Sequence, residues 1–272
     1  MPELFSFRLP LPERFLRSSE LVAALAWRDI AGRYRGSLAG LFWSFLNPLF
    51  SLAMYTFVFG VVFQARWGMQ AESTFDFALI LFAGLLLHSL LADCIGAAPF
   101  LVVGNPSYVK QVVFPLEVLA VVALLSSLFH AAISLFLLLL VWFLSHRDLH
   151  LASLAIPLLL LPLCLISLGC AWILSALAVY FRDIGQIVNF VLKALLFFSP
   201  IFYPATSVPA PFRFLLSVNP LTYAIEHVRA VLISGELPEA ISYFAYLSLA
   251  IGFACLGYAV FQKLRAGFAD VI

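Results

Sequence analysis

The sequence predicts an all-α integral membrane protein: six transmembrane helices, an N-terminal amphipathic interface helix before them, and two short re-entrant helices ahead of the last span. Three observations carry this. Of 272 residues, 64% are hydrophobic and 11% charged, and mean hydropathy is +1.07, whereas soluble globular domains are about half apolar and about a quarter charged. The apolar residues come in runs of bilayer length, about 20 residues or more. Charges sit at the ends of those runs, and a net charge of +1 spread this way offers no basic face to a nucleic acid.

Residues 1–37 read as a cytosolic segment. Arg8, Arg14, Arg17, Arg28, Arg33 and Arg35 precede an apolar run that begins only at Leu38 and is too long for the core of a signal peptide, so the segment is expected to stay attached. Within it Trp27, Ile30, Ala31 and Tyr34 fall at i, i+3, i+4 and i+7, the spacing of one helical face, while the arginines point elsewhere. Ser18 or Ser19 can cap the start, Glu20 suits the positive end of the helix dipole, and Asp29 pairs with Arg33 one turn on. The expectation is a helix lying in the membrane interface, held by anionic lipid or gripped by a cytosolic partner.

The transmembrane domain is expected over 38–262. Its first span, 38–63, contains Asn47 and Pro48; the proline removes a backbone hydrogen bond and bends the helix. An outer loop, 64–74, carries Arg66 and Glu72. After a second span, 75–93, the inner connection 97–113 includes NPSYVKQVVFP, which predicts a short helix after a turn. The apolar run 114–144 exceeds what a bilayer needs, so it tilts or protrudes, with Glu117 at its cytosolic mouth. Residues 145–150 turn outside, and a fourth span, 151–180, is expected to be broken by Pro157 and Pro162. A small inner loop holds Arg182 and Asp183, and a fifth span, 187–201, runs into SPIFYP at 199–204. Four prolines divide 208–239 into pieces too short to cross, so Phe212–Val218 and Leu221–Ser234 (together 212–234) are read as helices dipping into the outer leaflet. The sixth span, 241–261, leads to a cytosolic tail, 263–272. Ten lysines and arginines then fall on the side of the N-terminus against Arg66, Arg147, Arg213 and Arg229 opposite, which puts both termini in the cytosol.

Lys193 falls in the fifth span towards its inner end, where snorkelling suffices; apart from it no charged group lies in the middle of a span, and Asp76, Asp93 and Glu117 are at span ends, leaving little for coupling to an ion gradient. There is no GxxxxGK[ST] loop to cradle ATP. His146 and His150, four apart with no third ligand near, read as surface histidines rather than a metal site, and His88 and His130 as satisfied interior ones. Cys94, Cys164, Cys170 and Cys255 form no CxxC pair and read as packing residues. Without a cluster of acids or histidines, a membrane-embedded glycosyl- or acyltransferase is disfavoured. Aromatic residues gather in the first span (Phe42, Trp43, Phe45, Tyr55, Phe59) and around the fifth (Phe190, Phe197, Phe198, Tyr203). Two readings stand open: core packing with interface belts, or a ladder lining a pore, whose ring faces suit the C–H faces of sugars.

RDIAGRYRGSLAGLFWSFLNP, YFRDIGQIVNFVLKALLFFSPIFYP, VNPLTYAIEHVRAVL and the closing FADVI resemble the permease subunit of ABC-2 type transporters. Among these the pattern is most similar to the O-antigen and related polysaccharide exporter permeases, with teichoic-acid exporters next, and the likeness runs from about residue 20 onward. The resemblance implies a homodimer in the bacterial inner membrane with a translocation channel between its copies, a separate pair of ATPase subunits holding ATP and Mg, and a lipid-linked polysaccharide as cargo. An exporter of teichoic acid, or of a small lipid or drug, is the alternative. Residue roles follow from it: ATPase coupling at Arg28, Asp29, Arg33 and Arg35 of the interface helix, at Asn105, Tyr108 and Lys110 of the coupling loop, and at Arg182 and Asp183; an outer gate at Phe212, Tyr223, Glu226 and Arg229. The pore reading makes the nine aromatics named above channel-lining. No cofactor or metal is expected on this chain.

Overall fold

The computed structural model describes residues 19–62, 74–110, 114–148 and 150–271. The N-terminal arginines Arg8, Arg14 and Arg17, the cap Ser18, the outer loop with Arg66 and Glu72, and residues 111–113 of the inner connection lie outside the described residues. Every element among the described residues is helical. In chain order they are α1 (Ser19–Arg33), α2 (Trp43–Tyr55), α3 (Thr74–Ala97), α4 (Phe100–Val103), α5 (Pro106–Val109), α6 (Val118–His146), α7 (Ile156–Tyr180), α8 (Ile184–Phe198), α9 (Arg213–Val218), α10 (Pro220–Ile233), α11 (Ala240–Arg265) and α12 (Phe268–Val271). α2 is entered through a 3-10 turn, Gly40–Phe42, and prolonged by π-helical turns, Thr56–Val62.

Among the described residues, five helical stretches are long and apolar enough to cross a bilayer: Gly40–Phe59, Phe75–Ala97, Val118–His146, Leu151–Tyr180 and Ala240–Arg265. The protein is therefore a multi-pass membrane protein. α8 is apolar but has only 15 residues, about 22 Å at 1.5 Å per residue, before the chain breaks at Ser199. The bundle is built around α3: 78% of its apolar window is buried, against 11% for the first stretch. α2, α6, α7, α8 and α10 all pack on it.

α7 and α11 form the most extensive helix pair, and glycines make it possible. A Cβ on Gly257 would lie 2.5 Å from the Gly169 carbonyl oxygen, and one on Gly169 would lie 2.8 Å from the Phe253 ring. Ala250, Ala254, Gly257 and Phe261 are buried along one face of α11, the small residues letting two backbones touch.

The prolines do not break the fourth span. Pro157 sits in the first turn of α7, where its missing N–H would have had no partner. Pro162 lies inside α7 and releases the Leu158 carbonyl, which accepts a hydrogen bond from the Tyr243 hydroxyl of α11 at 2.9 Å. A side chain far along the chain thus replaces the lost backbone bond, and the helix continues.

α1 also differs from the expected picture. Its buried stripe is Val22, Leu25, Ala26 and Ile30, while Trp27 is 57% exposed. Val22, Leu25 and Ala26 pack on Val118 and Val122 at the start of α6, and Tyr34, just past the end of α1, meets His130 three turns further along α6. α1 therefore runs alongside α6 in the same direction. A helix with a neighbour to pack on presents the stripe that fits that neighbour, and the Trp27 face is left outward.

Candidate functional site

At one end of the bundle, α1 and the connection between α3 and α6 are joined. Arg28 Nη2 donates to the Tyr108 hydroxyl at 2.8 Å, its guanidinium lies 6.0 Å from the centre of that ring, and Tyr108 stacks on Phe114 at 4.3 Å. Asp29 and Arg33 pair along the helix at 3.7 Å. Asn105 is turned back on its own turn, its amide donating to the Leu101 carbonyl at 3.0 Å. Arg35, Lys110, Arg182 and Asp183 are exposed. Phe100 of α4 lies against the first turn of α8, where a Cβ on Gly185 would be 3.2 Å from its ring. Below α6, Glu117 is 6% exposed and is held by Arg265 at 2.7 Å, which also donates to the Phe114 carbonyl.

The aromatic residues separate into two sets. Phe42, Trp43 and Phe45 of the first span, and Phe190, Phe197 and Phe198 of α8, are exposed. Tyr55 and Phe59 instead turn onto the core, because the end of α2 and the π-helical turns that follow it pack on α3, and Tyr203 is partly buried with its hydroxyl on the Phe197 carbonyl at 3.0 Å. Between the first span and α8 the rings form a chain: Phe59 stacks on Phe202 at 5.7 Å, and Phe202 on Phe197 at 5.8 Å.

The residues expected at an outer gate do not share one surface. Phe212 is 57% exposed. Tyr223 stacks on His227 at 4.0 Å and against Tyr246 at 4.5 Å, its hydroxyl 3.1 Å from Ser242 Oγ. Arg229 is 4% exposed and reaches inward: Nε donates to the Ile80 carbonyl at 3.1 Å, Nη1 to that of Pro200 and Nη2 to that of Ile201 at 2.9 Å, with Glu226 3.9 Å away. It is a clamp on the break after α8, not a surface cation. Asn219 secures the same break, capping α10 through Leu221 N and donating to Ser199 Oγ at 2.8 Å.

A cavity of about 350 Å³ opens between α2, α3 and α6 beneath the end of α1. Arg33, Asn47, Asp93, His130 and several hydroxyls line it; Asn47, Ser89 and Asp93 are exposed there. Tyr34 shares a hydrogen bond with His130 Nδ1 at 3.3 Å, while His130 Nε2 is buried with no hydrogen-bond partner among the described residues. Partial burial raises the Tyr34 phenol above its ordinary value, so it stays protonated. Among the described residues no group of three or more His, Cys, Asp and Glu could hold a metal ion.

The sequence pattern of the ABC-2 type transporter family matches residues 20–233. The chain belongs to that family. Among curated relatives, this ABC-2 transporter chain is 25% identical over 254 residues to the O-antigen export system permease protein RfbA of Myxococcus xanthus, covering 93% of this chain and 95% of that protein. It is 24% identical over 257 residues to RfbA of Klebsiella pneumoniae, with the same coverage. To the polysialic acid transport protein KpsM of Escherichia coli it is 25% identical over 239 residues, covering 86% of this chain and 91% of that one.

The polar cavity of this ABC-2 chain escaped the sequence reading, which set Asp93 aside as a span end and His130 as an interior histidine. A signal was present. Ser44, Asn47, Ser51 and Tyr55 on α2, Ser89 and Asp93 on α3, and Ser127, His130 and Ser134 on α6 each recur at three or four residues, a polar stripe on an otherwise apolar helix.

Proposed function

We propose that the chain is the transmembrane permease of an ATP-driven exporter of a lipid-linked polysaccharide, an O-antigen or capsule-like glycan. The near full-length likeness to permeases named for O-antigen export and polysialic acid transport carries the reading. The exposed rings on the first span and α8 agree with it, since uncharged aromatic faces suit sugars. In this reading two copies pair in the bacterial inner membrane with those faces lining the channel, and both termini are cytosolic. Two ATPase subunits, which bind the ATP and Mg, dock on α1, the inner connection and the Arg182–Asp183 turn.

Closure of the ATPases presses on α1 and α5 together, because Arg28 and Tyr108 join them. α1 lies along α6, so the displacement passes to α6 and, through the short turn ahead of Gly40, to α2. The rings of Phe59, Phe202 and Phe197 then part at the far end, where α9 and α10 dip in without crossing.

Deleting the gene in its host is expected to remove the surface polysaccharide, and restoring the chain to return it, read on a gel of cell-surface glycan; an unchanged surface overturns the proposal. Arg28→Glu with Arg33→Glu is expected to reduce export about tenfold or more while the ATPase still turns over, since a charge-assisted hydrogen bond is worth roughly 1.5–3 kcal/mol. Export at the wild-type rate would show that α1 does not transmit the stroke.

A further inference from the structure

The cavity beneath α1 has a lining that neither a lipid tail nor a plain packing defect accounts for. Arg33 and Asn47 present donors, Asp93 presents a carboxylate, and Ser51 and Ser89 present hydroxyls that do both, flanked by the rings of Tyr55 and others. We propose that this cavity is a saccharide subsite that takes one or two uncharged sugar rings of the cargo. Asp93 accepts from adjacent sugar hydroxyls, Arg33 and Asn47 donate, and an aromatic wall covers a C–H face. The proposal rests on the polysaccharide reading above and adds to it a place where the glycan is held within one protomer.

The chemistry selects the ligand. Sugar hydroxyls donate and accept at the same atom, which a mixed lining answers group for group. A phosphate or pyrophosphate would face the Asp93 carboxylate beside Arg33, leaving no excess of positive charge to hold it. A divalent cation of the calcium type takes about six to eight oxygen ligands, usually several of them carboxylates, and one carboxylate is too few. The volume, about 350 Å³, lies at the small end of ligand sites, roughly 300–1,000 Å³, which fits rings and not a chain. Because Arg33 and Tyr34 come from the end of α1 and Asp93 from α3, an occupant bridges the two, so its binding and the position of α1 influence each other equally.

The test uses the full chain with its ATPase in lipid nanodiscs, a Ser89→Cys substitution in a Cys255→Ser background, and a charged thiosulfonate reagent. The probe is a set of mono- to tetrasaccharide fragments from partial acid hydrolysis of the host's own surface polysaccharide, with inorganic pyrophosphate as comparison. The fragments are expected to slow labelling of the new thiol several-fold and saturably, Asp93→Asn to weaken that protection about tenfold, and pyrophosphate to leave labelling unchanged. Absence of protection by every fragment, equal protection in the Asp93→Asn chain, or equal protection by pyrophosphate overturns the subsite. Protection in the chain with native Asp93 is decisive even where Asp93→Asn folds poorly. Surface glycan display by the unsubstituted chain is scored separately: display without protection overturns the subsite alone, and no display overturns the polysaccharide reading.

Discussion

Arg229→Ala is expected to destabilise the protein by about 3–5 kcal/mol, the range for removing one partner of a buried charged network. Its guanidinium supplies donors to the carbonyls of Ile80, Pro200 and Ile201, and the last two lie where α8 has ended, so no helical N–H is there to replace them. In an apolar bundle a bare carbonyl costs several kcal/mol. Arg229→Lys keeps the charge but not the planar fork that reaches three acceptors, and an intermediate loss is expected. Thermal unfolding in detergent, followed by fluorescence on a sizing column, measures it: a fall of about 6–20 °C is expected for alanine, given about 2–4 °C per kcal/mol in a chain of roughly this size. A midpoint within about 2 °C of wild type would show the clamp to be dispensable. Gly84→Ala tests the same contact from the other side, since its Cβ would lie 2.9 Å from Arg229 Nη2.

Gly257→Val is expected to part the α7–α11 pair. The first added carbon would already stand 2.5 Å from the Gly169 carbonyl oxygen, and a backbone atom cannot swing away as a side-chain tip can. Overpacking typically costs about 1–3 kcal/mol where side chains give; here a whole helix must shift, so the loss is expected to reach or exceed the top of that range. Separation also withdraws the Tyr243 hydroxyl from the Leu158 carbonyl, exposing the gap left by Pro162. Gly252→Val on the same helix, where a Cβ meets nothing within 4 Å, is the control and is expected to fold as wild type. Equal unfolding midpoints for the two variants would remove the close-approach argument.

The membrane helices were legible because hydropathy is summed over about twenty residues and does not depend on partners. The short helix after Asn105 and the pair after Pro209 were likewise written in local turn chemistry. What could not be read was anything settled by a distant partner. Counting lysines and arginines puts Arg229 on a surface, because its three acceptors come from two other segments and are backbone atoms with no sequence signature. Pro162 looks like a break until Tyr243 is found across the interface. On α1, two overlapping apolar stripes compete, and the choice of Val22, Leu25 and Ala26 over the Trp27 face depends on Val118 and Val122. Asp93 and His130 are a middle case: their polar stripes show in the spacing along α3 and α6, but that the stripes face one cavity with Arg33 is set by packing.

The Arg229 contact also imposes an order on biosynthesis. Ile80 and its donor are separated by 149 positions, which at about 5–20 residues per second takes a ribosome roughly 7–30 s to cover. During that interval α3, though destined for the centre of the bundle, waits in lipid or at the insertion machinery with α2 already made and α6, α7 and α8 arriving one after another, α10 last. Its apolar sequence tolerates the delay, but the break after α8 does not acquire its clamping arginine until α10 emerges. A nascent chain arrested before Arg229 is therefore a natural target for membrane quality control, and final closure of the bundle belongs to the last quarter of translation.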